Sequence, residues 1–491
     1  MDIESPLSIR NKQCLTGGEY LWILAVTGIL ATLVLFRLGA HSLWLDELMS
    51  MDFCDREFGG MMHQLKNDVH APLFYTLLWL VMRLAGLSES VARLPAAIAA
   101  IATLPILYLF VRRLAGMKAA VLSSLVLACS PFFIEFGRET HPYSLSAFLS
   151  VLSWLFFVDI LRGGRIKTAI LYGLATGLLL LTFYPAVLVP AGHLLCALVL
   201  RISRKKRILI AQGWALGFVV FSPWLAVFIR QLTEDHIGVI EQYFPQGVGI
   251  REIMSLHGDL FLGTAWRTIN PFAGRLAAVA IITAGMLLLR RKRGGPRRVY
   301  QNLAAAPLFL STGLFTLVCL YKPIYLSRYM ILAAPFAAVF SGMALAGMKP
   351  GARIWGIILV LAWSLGGLAG YHRIMPREDW RGPAEYLVSN MGPCDVIVTD
   401  HINARSCLSY YMKIRGRPDA GSHVFDYKLF IELTEGRFPD ADRSLYYLER
   451  PRPRAEEQLK DIKALNTFVE SRSFDAGFSL HKFHGRGNQS F

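Results

Sequence analysis

Four short segments of the sequence contain residue types that suit group transfer at a phosphate. The first is the adjacent acid pair Asp46 and Glu47, which follows an apolar stretch. A carboxylate there could act as a general base and remove a proton from a hydroxyl. Taken alone, the pair is more typical of the first turn of a helix, where acidic residues are favoured. The other three segments add weight to the catalytic interpretation.

Two of these segments supply imidazoles, acids and a cation. His70 precedes Ala71-Pro72 and could bind a phosphate oxygen, a sugar hydroxyl or a metal. By itself it is more typical of a solvated histidine before a helix that starts with proline. Further along, Ser130-Pro131 breaks an apolar stretch, and a loop of about a dozen residues follows, which contains Glu135, Arg138, Glu139, His141 and Tyr143. Because ionisable groups at membrane depth are costly without a partner or a watery cavity, this loop predicts a site.

The fourth segment, 321–329, contains Lys322, Arg328 and Tyr329 between two apolar stretches. An arginine can bind a phosphate through two parallel hydrogen bonds. Contact of a long side chain with lipid headgroups would explain Lys322 alone. It explains both cations less well, and the pair therefore favours an anionic ligand such as a lipid phosphate.

Composition places all four segments at a membrane. The chain has 491 residues, of which 54% are hydrophobic and 18% charged, and a mean hydropathy of +0.42, which excludes an ordinary soluble protein. The net charge of +16 could indicate a nucleic-acid partner. However, nineteen basic residues and no acidic one lie in five short loops between apolar stretches, at 112–118, 162–167, 201–207, 290–298 and 349–353. Such loops mark the cytoplasmic side of a membrane protein, so no nucleic-acid partner is expected.

The apolar pattern predicts an all-α polytopic membrane protein with eleven spans. The candidate spans are 20–40, 94–111, 119–134, 144–161, 168–184, 185–200, 208–229, 271–289, 303–320, 329–348 and 354–371. With the basic loops inside, the N-terminus is cytoplasmic and the C-terminus lies outside. Residues 72–87 are short, aromatic and carry Arg83, which predicts an amphipathic helix in the outer interface, within a first outer loop at 41–93. A twelfth span with a compensating re-entrant segment is the alternative.

The polar tail, residues 372–491, predicts a small extracytoplasmic α/β domain that follows a membrane domain at 1–371. Helical patterns cover 380–391 and 453–465, and strand patterns cover 396–399, 444–448, 467–474 and 478–484. The seven cysteines show no metal-binding spacing. Cys394 and Cys407 form the one pair that warrants a test for a disulfide.

With these residues in place, the sequence resembles the GT-C glycosyltransferases, specifically the bacterial family-39-like group akin to protein O-mannosyltransferases and lipid A aminoarabinose transferases. The matching pieces are LWLDE at 43–47, HAPLFY at 70–75, ARLPAA at 92–97, SPFFIEFGRETHPYSL at 130–145, KPIYLSRYMILAAP at 322–335 and DWRGPAEYL at 379–387. The resemblance implies a catalytic role for Asp46, with Glu47 beside it. It also implies that Arg138, Arg328 and Tyr329 hold the donor phosphate. His141 stands where relatives often have arginine.

These observations predict an inverting membrane glycosyltransferase of the inner membrane. It would move a sugar from a polyprenyl-phosphate donor to an extracytoplasmic glycolipid, polysaccharide or protein, with His70, His141, Tyr143 and Lys322 also at the donor. Asp46, Glu47 and His70 could ligate a divalent ion, but no metal or other cofactor is expected to be required. A lipid or glycan transporter without chemistry is the alternative. It is less favoured, because the ionisable groups gather at one face and no related halves are visible. An inactive scaffold whose tail binds a partner is a third interpretation.

Overall fold

The computed structural model describes residues 14–200, 202–233, 249–266, 296–321, 326–373, 378–400, 402–434, 443–450 and 453–485, and also residues 270, 272, 275–276, 279 and 282–283. The helices before the tail are Gly17–Leu35, Leu45–Cys54, Phe58–Lys66, Pro72–Ala85, Glu89–Leu114, Met117–Ala128, Pro131–Gly137, Tyr143–Leu161, Ile166–Leu180, Leu188–Val199, Arg204–Thr233, Ile250–Leu262, Pro296–Tyr321, Ala334–Gly347 and Pro350–Arg373. Short 3₁₀ helices lie at Tyr184–Val187 and Ser327–Leu332.

The chain divides into two compact units. The first unit contains residues up to Phe36 together with Phe58–Leu80 and Arg93–Met375, and it is helical throughout its described part. The second unit contains Arg37–Glu57, Val81–Ala92 and Pro376–Phe491. The tail therefore forms one unit with two pieces that overlap the first outer loop predicted at 41–93.

Within the described ranges, six helices are long and apolar enough to cross a bilayer: Gly17–Leu35, Glu89–Leu114, Tyr143–Leu161, Arg204–Thr233, Val299–Tyr321 and Pro350–Arg373. Each coincides with a predicted span. Shorter apolar helices at Ile166–Leu180, Tyr184–Val199 and Ala334–Gly347 coincide with three more, and Pro72–Ala85 coincides with the predicted interfacial helix. The span predicted at 271–289 lies largely outside the described residues. The total of eleven spans and the interfacial position of Pro72–Ala85 stay predictions.

A bent helix pair occupies the span predicted at 119–134. Met117–Ala128 and Pro131–Gly137 meet at 59°. Pro131 takes the first turn of the second helix, and the Ser130 hydroxyl accepts a hydrogen bond from the Phe133 N–H at 3.3 Å. The expectation of a loop of about a dozen residues here was wrong, because Ser-Pro starts a new helix and does not simply end the old one. Only residues 138–142 connect this helix to Tyr143–Leu161.

Two glycine pairs bring neighbouring helices of the first unit close together. Gly173 and Gly177 lie on Ile166–Leu180, and Gly213 and Gly217 lie on Arg204–Thr233, with four-residue spacing in both helices. A Cβ atom on Gly173 would lie 2.5 Å from the Gly213 carbonyl oxygen, and one on Gly177 would lie 2.8 Å from that of Gly217. Small residues at this spacing let transmembrane helices pack backbone to backbone.

We expect Gly173→Ala to destabilise the first unit by about 1–3 kcal/mol, because the added methyl group would overlap a backbone carbonyl that cannot rotate away. The measurement is the thermal unfolding midpoint of the purified protein in detergent. Gly313→Ala is the matched control, since a Cβ atom there would meet no heavy atom within 4 Å. Equal midpoints for the two variants would contradict this account of the helix contact.

The tail carries a five-stranded mixed sheet, whose strands are β1 Val396–Thr399, β2 Val424–Asp426, β3 Ser444–Glu449, β4 Asn466–Ser473 and β5 Ser479–Gly485. Their order in the sheet is β2-β1-β3-β5-β4. β1 is parallel to β2 and β3, whereas β5 is antiparallel to β3 and β4. The helices of the tail are Arg381–Asn390, Ile402–Ile414, Tyr427–Thr434 and Pro453–Leu465. The predicted small α/β fold is therefore confirmed.

Apolar side chains from both strands and helices form the core of this sheet. Its buried members include Val398, Leu445, Tyr447, Ile462 and Phe483. Cys394 is exposed and Cys407 is buried, and both are free thiols. The pair singled out for a disulfide test therefore does not form one in the structure.

Candidate active site

Two histidines of the first unit meet although about seventy residues separate them in the chain. The His70 and His141 rings lie edge to face, with centroids 5.3 Å apart and an interplanar angle of 88°. His70 Nδ1 lies 2.5 Å from Asp68 Oδ1, and a carboxylate partner on one ring nitrogen fixes the direction of the other. His70 comes just before helix Pro72–Ala85, which begins at a proline. His141 comes just before Pro142, which is the N-cap residue of helix Tyr143–Leu161.

The two histidines line a cavity of about 170 Å³ together with Tyr329. Apart from a few polar groups, among them Gln231 and the Tyr184 hydroxyl, its walls are apolar or aromatic. Tyr143 stands behind His141, with ring centroids 4.5 Å apart, and Phe183 lies 5.5 Å from Tyr329. An apolar cavity with a few converging polar groups is typical of a site for a small ligand or for the head of a lipid.

Arg138 follows the bent helix and is buried, with 3% of its surface exposed. Its Nη2 donates a hydrogen bond of 2.8 Å to the carbonyl oxygen of Phe36, which is the C-cap residue of helix Gly17–Leu35. Its guanidinium also lies 5.7 Å from the centre of the Tyr371 ring. A cation at the C-terminal end of a helix is stabilising, so Arg138 has a structural role in addition to the one the sequence predicts.

Arg328 lies on the 3₁₀ helix Ser327–Leu332 and is half-buried. The neighbouring Ser327 hydroxyl donates to Asp259 Oδ2 at 2.8 Å, and Asp259 is itself buried. This bond ties the start of the 3₁₀ helix to helix Ile250–Leu262. Arg328 therefore lies on a short segment that this bond holds in place. The next residue in the sequence, Tyr329, lines the cavity.

Burial holds the pKa of His141 well below 6.5, and the neighbouring His70 and Arg328 lower it further. His141 is therefore neutral at physiological pH and can offer a phosphate a single N–H donor but no permanent charge. His141 is predicted from the sequence to bind the donor phosphate, and as a neutral imidazole it would contribute a hydrogen bond but no positive charge.

The protein is expected to become less stable as the pH falls from 8 to 5. An unfolded histidine takes up a proton near pH 6.5, whereas folded His141 resists protonation. His141 therefore adds to the free energy of unfolding above pH 6.5, and this contribution is lost progressively below that pH. The slope is at most about 1.4 kcal/mol per pH unit. Unfolding midpoints measured across this range check the effect. His141→Gln should flatten the curve and His63→Gln, at an exposed position, should leave it unchanged; identical curves for both variants would contradict the assignment.

The predicted acid pair belongs to the second unit, on helix Leu45–Cys54. Glu47 is fully buried and accepts a hydrogen bond from the Trp44 N–H at 3.3 Å, so its carboxylate caps the start of its own helix. Asp46 is half-buried, and its backbone carbonyl accepts a hydrogen bond from the Ser50 hydroxyl at 2.9 Å. Glu47 therefore stabilises the first turn of its own helix, which was the alternative interpretation of the acid pair.

Among the other predicted residues, Lys322 lies outside the described residues. No group of three or more His, Cys, Asp or Glu side chains within the described ranges is placed to hold a metal ion. The set Asp46, Glu47 and His70 is divided between the two units.

Sequence reasoning missed several polar residues around the cavity. Asp68 fixes His70, and the Tyr184 hydroxyl donates to Gln231 Oε1 at 2.6 Å. Gln231 in turn donates from Nε2 to the Leu65 carbonyl at 2.8 Å. The spacing of Asp68 and His70, two residues apart before a proline-started helix, was the available signal. Tyr184 stands in an apolar stretch and Gln231 lies just beyond the span predicted at 208–229, and neither position had such a signal.

The chain is similar to known proteins in part of its sequence and in its fold. Residues 69–226 match a family model described as dolichyl-phosphate-mannose-protein mannosyltransferase. Among solved structures, ArnT from Cupriavidus metallidurans bound to undecaprenyl phosphate superposes with a TM-score of 0.61 and 14% identity, over 95% of this chain and 98% of that one. The Archaeoglobus fulgidus oligosaccharyltransferase in complex with zinc and sulfate has a TM-score of 0.55 and 12% identity, over 94% and 73% of the two chains. No curated protein matches the sequence.

The chain therefore has the fold of the GT-C glycosyltransferases, and the resemblance drawn from its motifs is confirmed. It is a multi-pass membrane protein. The family match spans both histidines, Arg138 and Tyr143, whereas the acid helix and the segment at 322–335 lie outside it.

Proposed function

We propose that the protein is an inverting glycosyltransferase that moves a sugar from a polyprenyl-phosphate donor to an acceptor hydroxyl outside the cytoplasm. The observation that carries the proposal is the cavity in the first unit. It brings His70, His141 and Tyr329 together from three distant parts of the chain, with Arg328 beside Tyr329. The fold agrees, because the structures it resembles include one solved with undecaprenyl phosphate and one with dolichol phosphate.

In the proposed reaction, Asp46 takes the proton of the acceptor hydroxyl as its oxygen attacks the anomeric carbon. The bond between that carbon and the phosphate oxygen breaks, and the electron pair leaves with the polyprenyl phosphate. Attack opposite the leaving group inverts the configuration. Positive groups placed where the negative charge grows stabilise this step most, which is the role proposed for Arg328, with hydrogen bonds from the histidines and Tyr329. Arg138, Tyr143 and Lys322 are proposed to complete the donor site.

The decisive experiment uses the purified protein in lipid nanodiscs with a radiolabelled polyprenyl-phosphate sugar and an extract of extracytoplasmic glycolipids, polysaccharides and proteins. A glycosyltransferase releases free polyprenyl phosphate and transfers the label to one of these fractions. A transporter leaves the donor intact. Donor that stays intact with every acceptor fraction would overturn the proposal.

The proposed orientation places the N-terminus in the cytoplasm and the tail outside, as the basic loops predict. Single cysteines introduced at the exposed positions Asp52 and Arg472, in a variant whose native cysteines are replaced, should react with a membrane-impermeant maleimide in intact spheroplasts. A cysteine at exposed Lys205 should react only after lysis. The reverse pattern would contradict the orientation.

A further inference from the structure

The helix that carries Asp46 has its first backbone N–H satisfied by a residue more than three hundred positions away. Leu45 N–H donates a hydrogen bond of 3.0 Å to Glu378 Oε2. The N-cap residue Trp44 makes no side-chain capping bond. The first N–H groups of a helix lack partners within the helix, so an external carboxylate that accepts one of them also fixes where the helix begins.

Glu378 is itself held from two sides. Its Oε2 also accepts a hydrogen bond of 3.1 Å from Trp380 Nε1. Its Oε1 lies 3.5 Å from Nη1 of Arg450, which is only 2% exposed. The Arg450 guanidinium also lies 5.5 Å from the centre of the Trp380 ring. The carboxylate thus has little freedom to turn away from Leu45.

Arg450 owes its own position to the sheet of the tail. It donates to both oxygens of Asp400, from Nε at 2.7 Å and from Nη2 at 2.8 Å. Asp400 directly follows strand β1 and Arg450 directly follows strand β3, and these strands are parallel neighbours. Because the carboxyl ends of parallel strands lie at the same edge of a sheet, the two residues meet there without any long loop.

Two further bonds fix the approach to the acid helix within the second unit. The Trp380 N–H donates to the Ser42 hydroxyl at 3.2 Å, and the Leu43 N–H donates to the Tyr411 hydroxyl at 2.7 Å. Ser42, Leu43 and Leu45 therefore each form a hydrogen bond with a residue of the tail.

We propose that Glu378, held by Arg450, is the positioning residue for Asp46, and that the tail thereby sets the geometry of proton removal. The inference rests on the proposed function, in which Asp46 is the base. Glu378 acts through the Leu45 backbone and has no contact with substrate in this role. Misplacement of a reacting group by about 1 Å can cost about a hundredfold in rate, so a lost tie at the neighbouring residue has a measurable effect.

The test compares Glu378→Ala and Glu378→Gln in the full-length protein in nanodiscs. The first readout is hydrogen exchange of the peptide covering residues 43–50, which requires no activity. The second is kcat and the KM for the polyprenyl-phosphate sugar. Glu449→Ala is the matched control: Glu449 precedes Arg450 and binds His481 at 2.8 Å, with no hydrogen bond to the acid helix among the described residues.

Glu378→Ala is expected to speed exchange at residues 43–50 and to lower kcat by about tenfold to hundredfold, with KM unchanged. Glu378→Gln should restore kcat to within about threefold of wild type, because its amide oxygen can still accept the Leu45 N–H. Unchanged exchange and kcat in Glu378→Ala would overturn the inference. So would failure of the Gln variant to rescue, or an equal loss in Glu449→Ala. Full activity of Asp46→Asn would instead show that Asp46 is not the base and would contradict the proposed function. The exchange result would still show whether Glu378 holds the Leu45 backbone.

Discussion

Asp46→Asn should lower kcat by about a thousandfold while leaving the folded protein intact. Asparagine has nearly the same shape as aspartate but cannot take a proton, and a general base contributes about 10²–10⁴ to the rate. The KM for the donor should change little, because the proposed donor contacts lie on other residues. Release of polyprenyl phosphate by the purified variant, followed over hours, measures the residual rate.

Asp52→Asn is the matched control for this prediction. It makes the same chemical change on the same helix, at an exposed carboxylate that pairs with Arg56 at 3.1 Å. Such exposed pairs contribute little to stability, so the variant should keep its activity to within about twofold. If Asp46→Asn and Asp52→Asn had the same activity, Asp46 would not be the base. Glu47→Gln is expected to act mainly on the start of the helix, which Glu47 caps.

Arg328→Ala should lower kcat/KM for the donor by about a hundredfold to a thousandfold. Loss of one donor to a developing negative charge has an effect of this size in other enzymes. Arg328→Lys should recover part of the loss, since lysine keeps the charge but not the bidentate geometry. Steady-state kinetics with the radiolabelled donor provide the measurement.

Two further arginines of the first unit are compared with Arg328, and Arg251 is the matched control. Arg251→Ala removes an exposed arginine from helix Ile250–Leu262 and should not change kcat/KM. Arg138→Ala should lower the unfolding midpoint as well as activity, because it removes the bond to the Phe36 carbonyl. Wild-type kcat/KM in Arg328→Ala would eliminate this residue from the donor site.

In the tail, local sequence patterns predicted several elements and missed others. Strand β3, Ser444–Glu449, was predicted to within one residue because residues 445–448 form an apolar run bounded by polar residues. The hairpin of β4 and β5 was predicted because the turn-forming Asp475-Ala476-Gly477 separates two strand-like runs. Helix Ile402–Ile414 was missed, although Ala404, Cys407, Leu408 and Tyr411 are buried at helical spacing. Of these four, Leu408 alone is a large aliphatic residue, whereas Ala404 and Cys407 are small and Tyr411 is amphipathic, which weakens the pattern.

The site was predictable only in part. Chemistry identified His70, His141 and Tyr329 individually, but nothing local in the sequence specifies that they share one cavity. That arrangement depends on how the helices pack, which in this protein involves the paired glycines at 173, 177, 213 and 217. Their four-residue spacing was visible in the sequence and could have predicted the contact. The tie from Glu378 to Leu45 had no comparable signal, because it joins residues from opposite ends of the chain.

The discontinuous make-up of the second unit has a consequence for biosynthesis. Residues 37–57 leave the ribosome more than three hundred residues before the strands and helices of the tail with which they form one unit. At about 5–20 residues per second, the interval between the two is on the order of a minute. The acid helix therefore waits for the tail before it acquires its final partners, and a prematurely terminated chain would insert its early helices yet never mature.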